Sequence, residues 1–144
     1  MLHLLILVLS FNLWPQDADL CRSAKIYYSL EEALQEPDSV RVLDLAMQNP
    51  KLTTIPPEVC RFTNLECLDV SFNRIGSVPD SIGNLIHLKH LNMAGNRYLA
   101  KFPEALTKLD SLQVVDFTAI PEWSDEKCMY AKAQLPHVRV LTDK

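Results

Sequence analysis

The 144-residue chain has no apolar run long enough to cross a bilayer, no excess of positive charge, no charged tail and no low-complexity tract. Its longest apolar stretch, Leu2 to Trp14, has 13 residues, against the roughly 20 that a spanning helix needs. A stable membrane span is therefore not expected. Lys and Arg number 14 against 18 Asp and Glu, a net charge of −4. Nucleic acid is thus an unexpected partner, because phosphate backbones are held by a basic face. The cysteines Cys21, Cys60, Cys67 and Cys128 have neither framework nor metal-ligand spacing, so no metal and no cofactor is expected. With 48% apolar residues, enough remains for one continuous core.

What the chain does have is self-similarity. Four segments carry apolar residues at their first, fourth and sixth places: Val40/Leu43/Leu45, Leu65/Leu68/Val70, Leu88/Leu91/Met93 and Leu112/Val115/Phe117. The steps between them are 25, 23 and 24 residues. Three continue to an Asn and a Pro: Asn49/Pro56, Asn73/Pro79 and Asn96/Pro103. From each Pro the spacing is fixed, with apolar residues at +3 (Val59, Ile82, Leu106), +6 (Phe62, Leu85, Leu109) and +9 (Leu65, Leu88, Leu112). Length variation therefore falls in the loop before the Pro. Alternation at the start of each unit predicts a short strand, and the spacing of three predicts a helical or 3₁₀ return. No unit alone can bury its leucines, whereas stacked units make continuous apolar columns.

These residues resemble the signature L-x-x-L-x-L-x-x-N-x-L of the leucine-rich repeat (LRR) family, met position for position by Leu65, Leu68, Val70, Asn73 and Ile75. With Pro79, Ile82 and Leu85 the unit is similar to the repeats of Ras-group and many bacterial LRR proteins. The resemblance covers residues 40–121 and implies an α/β fold, a leucine-rich repeat solenoid. This would be a short right-handed arc with a parallel concave sheet of about four to five strands, a helical or 3₁₀ convex side and helical caps. A structural Asn ladder of Asn49, Asn73 and Asn96 is expected to bond the turns. The first unit departs from the pattern, with Gln48 at the expected Asn place, and the fourth reaches Ile120-Pro121 without an Asn.

Both flanks read as caps. In residues 19–39, Ser29-Leu-Glu-Glu32 has the form of a capping box opening a short helix. In residues 122–144, Ser124 opens a second helix to about Gln134, and Val138 to Leu141 could add an edge strand. Residues 1–18 read as a secretory signal peptide, although no Lys or Arg precedes the apolar run and no A-x-A cleavage site follows it. Secretion, or a periplasmic or cell-envelope site, is the expectation. The alternative is a cytoplasmic LRR adaptor of the Ras-group type.

On the repeat template Cys67 lies on the concave sheet and Cys60 on the convex return. Cys128 falls on the terminal helix and Cys21 near the leader. No pair obviously meets the ~7 Å Cα separation of a disulfide, although Cys21 could find a partner in an oxidising compartment.

A stack offers a face for holding a molecule and no pocket for chemistry, so a non-enzymatic protein-binding module is expected. Alternation places three exposed columns on the concave side: Val42/Cys67/His90/Val114, Asp44/Asp69/Asn92/Asp116 and Ala46/Ser71/Ala94/Thr118. The middle column reads either as an acidic recognition strip or as solvated strand residues. Phe72, Arg74, Arg97 and Tyr98 follow in the loops, with side-chain types that often dominate binding energy. The candidate partner-binding set is thus Asp44, Asp69, Ser71, Phe72, His90, Asn92, Asp116, Arg74, Arg97 and Tyr98. Cys67 beside His90, with Asp69 and Asn92, admits a nucleophile-set reading, but an oxyanion donor and a closed pocket are missing. A monomer is expected, whose small face binds weakly or through several copies.

Overall fold

A computed structural model describes residues 19–144. Residues 1–18, the segment read as a leader, lie outside the described residues. Six parallel strands form one open sheet in sequence order: β1 (Ile26–Tyr27), β2 (Val42–Asp44), β3 (Cys67–Asp69), β4 (His90–Asn92), β5 (Val114–Asp116) and β6 (Arg139–Leu141). The register is that of a stack. Leu43, Leu68, Leu91 and Val115 are successive Cα partners. Their side chains are at most 1% exposed, and each buried leucine contributes roughly 1.5–3 kcal/mol. The column Leu45, Val70, Met93 and Phe117 is buried as well. In the third, Ile55, Phe102 and Ile120 are buried and Val78 is partly so.

The returns are 3₁₀ turns at Pro57–Arg61, Asp80–Asn84 and Glu104–Lys108. Val59, Ile82 and Leu106 point from them into the core. The spacing of three after each Pro is the period of this turn, which repeats every three residues and therefore shows one side to the core.

Helix α1 (Asp19–Ser23) precedes β1, and α2 (Leu30–Gln35) links β1 to β2. The Ser29 hydroxyl caps α2 by accepting the Glu32 N–H at 3.1 Å. Helix α3 (Asp125–Gln134) closes the other end. The Ser124 hydroxyl accepts the Lys127 N–H there, and Cys128, Ala131 and Leu135 form the buried stripe. Trp123 seals this end, its ring tilted against that of Phe117 with centroids 4.7 Å apart, and its indole N–H donated to the Leu99 carbonyl at 2.7 Å.

Two sequence expectations change. The sheet has six strands rather than four to five, because Ile26 and Tyr27 pair with Val42 and Leu43. Two residues carry no alternation to read. And two cysteines are joined: Cys21 and Cys67 form a disulfide with Cα atoms 5.8 Å apart. Helix α1 lies outside the repeat phase, so nothing in the template could place Cys21. Cys60 and Cys128 remain free and buried.

Candidate functional site

The side of the sheet opposite the main core is set by what leaves each strand. Asp44, Asp69, Asn92 and Asp116 occupy equivalent places, and each folds its Oδ1 back onto its own chain. They accept the N–H of Ala46 (3.0 Å), Ser71 (2.8 Å), Ala94 (3.0 Å) and Thr118 (2.8 Å). The column is thus a stack of Asx turns that stop the strands after three residues. All four are buried, at 7%, 1%, 3% and 8% exposure. His90, Ser71, Ala94, Val42, Cys67 and Val114 are buried too. The expectation that these columns are exposed is therefore corrected, apart from Ala46 and Thr118 at the ends of the third column, which are half-buried. The short polar side chains satisfy local N–H groups and sink between neighbouring coils.

Burial has an electrostatic consequence. The Asp69 carboxyl is pushed up to about 7 by desolvation and by the nearby Asp44 carboxylate, against hydrogen bonds from Ser71 and Asn92. Desolvation raises Asp44 also, opposed by the Ala46 N–H.

Two residues past the sixth place of each unit stands a second column, Met47, Phe72, Gly95 and Ala119, with φ of 52°, 53°, 71° and 54°. These left-handed residues turn the chain out of the sheet. Their N–H groups still pair from coil to coil, Met47 to Ser71, Phe72 to Ala94 and Gly95 to Thr118. The Phe72 ring lies directly over Gly95, where a Cβ would sit 2.5 Å from a ring carbon.

Next comes the Asn ladder, with Asn73 and Asn96 as its rungs. Asn73 Oδ1 accepts the N–H groups of Gln48 (3.2 Å) and Leu52 (3.1 Å), and its Nδ2 donates to Leu45 (2.9 Å) and Val70 (3.0 Å). Asn96 repeats this with Ile75, Val70 and Met93. Asn49 is exposed and corrects the expected three-rung ladder. In the first coil Gln48 keeps the repeat phase, so Asn49 falls one residue past the inward position.

Ahead of the strands, Glu66 accepts Arg41 Nε at 2.8 Å and Lys89 Nζ at 2.9 Å from the two neighbouring coils. Burial opposes its charge, but the hydrogen bonds from Lys89 and Arg41 hold its carboxyl below the usual range. Reading the second place of every unit (Arg41, Glu66, Lys89) would have found this ion triad.

Helix α1 comes down on the side opposite the main core. Cys21 and Cys67 pack with Val42, Ala24 and Ile26 in a second apolar cluster. The Cys67 sulfur is bonded to Cys21 and is no free nucleophile, which removes the Cys67–His90 reading. Among the described residues, no group of three or more His, Cys, Asp or Glu side chains is placed to hold a metal ion.

The loop residues behave differently. Arg74, Arg97 and Tyr98 are exposed and Phe72 is half-buried. The ten candidate residues thus divide: Asp44, Asp69, Ser71, His90, Asn92 and Asp116 are scaffold within the stack, while Phe72, Arg74, Arg97 and Tyr98 line its loop edge.

A stack of strand, Asn turn and 3₁₀ return, leucine over leucine, defines a leucine-rich repeat solenoid. Residues 63–108 match the family model described as Leucine Rich repeats (2 copies). The chain is 39% identical over 72 residues to leucine-rich repeat and calponin homology domain-containing protein 1 of Mus musculus, covering 50% of this chain and 10% of the relative. Against plant intracellular Ras-group-related LRR protein 7 of Oryza sativa it is 37% identical over 53 residues, 36% of this chain and 20% of the relative. The structure of an LRR protein from Leptospira interrogans superposes with a TM-score of 0.50 at 25% identity, over 81% of this chain and 34% of that one. Residues 63–108 are thus leucine-rich repeats, and the chain has the leucine-rich repeat solenoid fold. It spans a fifth or less of these two curated relatives. LRR domains generally mediate protein–protein interaction and are typically non-enzymatic. Among the described residues no helix is long and apolar enough to cross a membrane.

Proposed function

We propose that the chain is a non-enzymatic module, secreted or held in the cell envelope, that grips another protein through its LRR array. The observation that carries the binding reading is the run of exposed loop residues along one edge of a six-strand stack. Aligned side chains on adjacent coils make an extended contact surface of the kind solenoids use. Phe72, Arg74, Arg97 and Tyr98 supply it, and the buried Asp and Asn columns hold it in shape. Support for the compartment comes from the Cys21–Cys67 disulfide, a bond that persists chiefly in oxidising environments. The second reading, an intracellular adaptor, draws on the likeness to the rice Ras-group-related protein.

Two measurements test this. Mass spectrometry of the protein from its native host, with thiols blocked before digestion, should find the Cys21–Cys67 peptide pair and cleavage near residues 16–20. Free thiols with an intact leader would favour the adaptor. Capture from native extract with the immobilised full chain should retain a protein at near-stoichiometric yield. Failure to retain any would sink the binding reading.

A further inference from the structure

We infer that the loop edge is a docking site for an acidic protein segment, a refinement that rests on the protein-binding reading above. Three loops leave the strands and lead to the 3₁₀ returns: residues 45–56, 70–79 and 93–103. They contain Lys51, Arg74, Arg97 and Lys101 and not one Asp or Glu, in a chain whose net charge is −4. All four cations are exposed. Five cations elsewhere have carboxylates beside them: Lys25 has Glu36, Arg41 and Lys89 share Glu66, Lys108 has Asp80 and Lys144 has Asp125. Within the described residues Arg74, Arg97 and Lys101 have no such counter-ion, and the Lys51 ammonium rests on the Phe72 carbonyl at 2.9 Å.

Lys51, Arg74 and Arg97 sit on successive coils, and Lys101 follows Arg97 in the same loop. Arg74 and Arg97 each follow a ladder Asn, so they occupy equivalent places on coils about 4.8 Å apart. The Arg74 N–H donates to Leu52 at 2.8 Å, and Lys51 reaches from the same loop to Phe72. Gly76 lies against Tyr98, so close that a Cβ there would be 3.3 Å from the Tyr98 carbonyl oxygen. Tyr98 is 64% exposed and Met47 44%, and Phe72 is half-buried. Arginine and tyrosine on a preorganised backbone are the side chains best suited to anchor a partner. The Asn73 and Asn96 bonds supply the preorganisation.

The charge pattern selects the partner's chemistry. Paired arginines fit carboxylates bidentately, and the exposed Tyr98 and Met47 offer apolar contact on the same loops. A nucleic acid would need a longer basic track, whereas here the basic stretch of each loop is short and ends at Asp80 and Glu104. An acidic segment with interspersed apolar residues is the fitting occupant.

The test uses the full chain and a labelled short peptide of Glu, Leu and Ser, with a control peptide in which each Glu is Gln. Wild type should bind the Glu peptide at least about tenfold more tightly at low salt, an advantage that fades as salt rises. Arg74→Glu combined with Arg97→Glu should abolish the preference, while Arg61→Glu with Lys127→Glu, away from the strip, should keep it. Circular dichroism confirms that each variant is folded. Equal binding of both peptides overturns the inference, as does equal loss in the two double variants. Tighter binding of a single-stranded oligonucleotide than of the Glu peptide overturns it too. Extract capture separates this from the broader reading. Proteins retained equally by wild type and by Arg74→Glu/Arg97→Glu leave a binding module without this site; nothing retained by either sinks the binding reading itself.

Discussion

The Asn92 amide of one coil donates to the Asp69 carboxylate of the coil before it, at 3.0 Å, and Asp69 is 1% exposed. Asp69 also accepts the Ser71 N–H, so a single carboxyl joins its own turn to the next coil. A charge held so deep is costly, and desolvation lifts its folded value to about 7 from an ordinary 3.8. The protonated form is thus favoured in the folded state. Its stabilising contribution is full below the unfolded value, declines as pH rises towards 7 and is absent above that. Asp69→Asn should flatten this part of the stability–pH curve between pH 4 and 7, measured as the difference from wild type in urea titrations. Parallel curves would show that the carboxyl titrates normally. Carboxyl ¹³C shifts should place the midpoint near 7, and Asp44→Asn should lower it by removing the second charge.

Asn73 is the more demanding joint. It satisfies Gln48 and Leu52 donors and Leu45 and Val70 acceptors at once. Truncation leaves these groups buried or half-buried without partners. Asn73→Ala should cost about 1–3 kcal/mol, read from the urea midpoint with an unchanged slope. A variant as stable as wild type would mean that water replaces the amide freely.

The contrast between these two residues shows what the sequence could reveal. The leucine columns and the inward Asn73 were legible because stacking repeats them in phase, and a period survives any single deviation. The acidic column was legible in place and not in exposure. Alternation says which side of a strand Asp69 takes, but not that its oxygen turns back to Ser71 or that neighbouring coils close over it. Cys21 was illegible because α1 belongs to no repeat, whereas Gln48 at the Asn place already marked Asn49 as out of phase. Arg74, Arg97 and Tyr98 stood out only as types. Their lack of nearby carboxylates became meaningful once the coils were placed side by side.

Gly95 offers a steric test of the left-handed column. Its φ of 71° is unfavourable for a side chain, and an added Cβ meets the Phe72 ring at 2.5 Å. Gly95→Ala should destabilise by about 1–2 kcal/mol from the backbone alone, and by more while the ring stays in place. Phe72→Ala in the same chain should recover the steric share. A double-mutant cycle measures it: purely additive losses would show that the ring moves aside at no cost.

The disulfide makes a separable prediction about the first end of the stack. It closes a loop with a sequence separation of 46 residues, so replacing both partners, Cys21→Ala with Cys67→Ala, should cost about 2–4 kcal/mol through the freed unfolded chain. The effect should also be local. Cys21, Ala24, Ile26 and Val42 make a cluster distinct from the main core, and β1 has only two residues to hold it to β2. Without the covalent link, amide hydrogens of α1 and β1 should exchange markedly faster, while those of β3 to β5, buried under the leucine columns, should slow or quicken only with global stability. Unchanged protection of α1 and β1 in the double variant would show that apolar contact alone fastens the segment. Uniform acceleration across all six strands would show that the staple supports the whole array rather than one end of it.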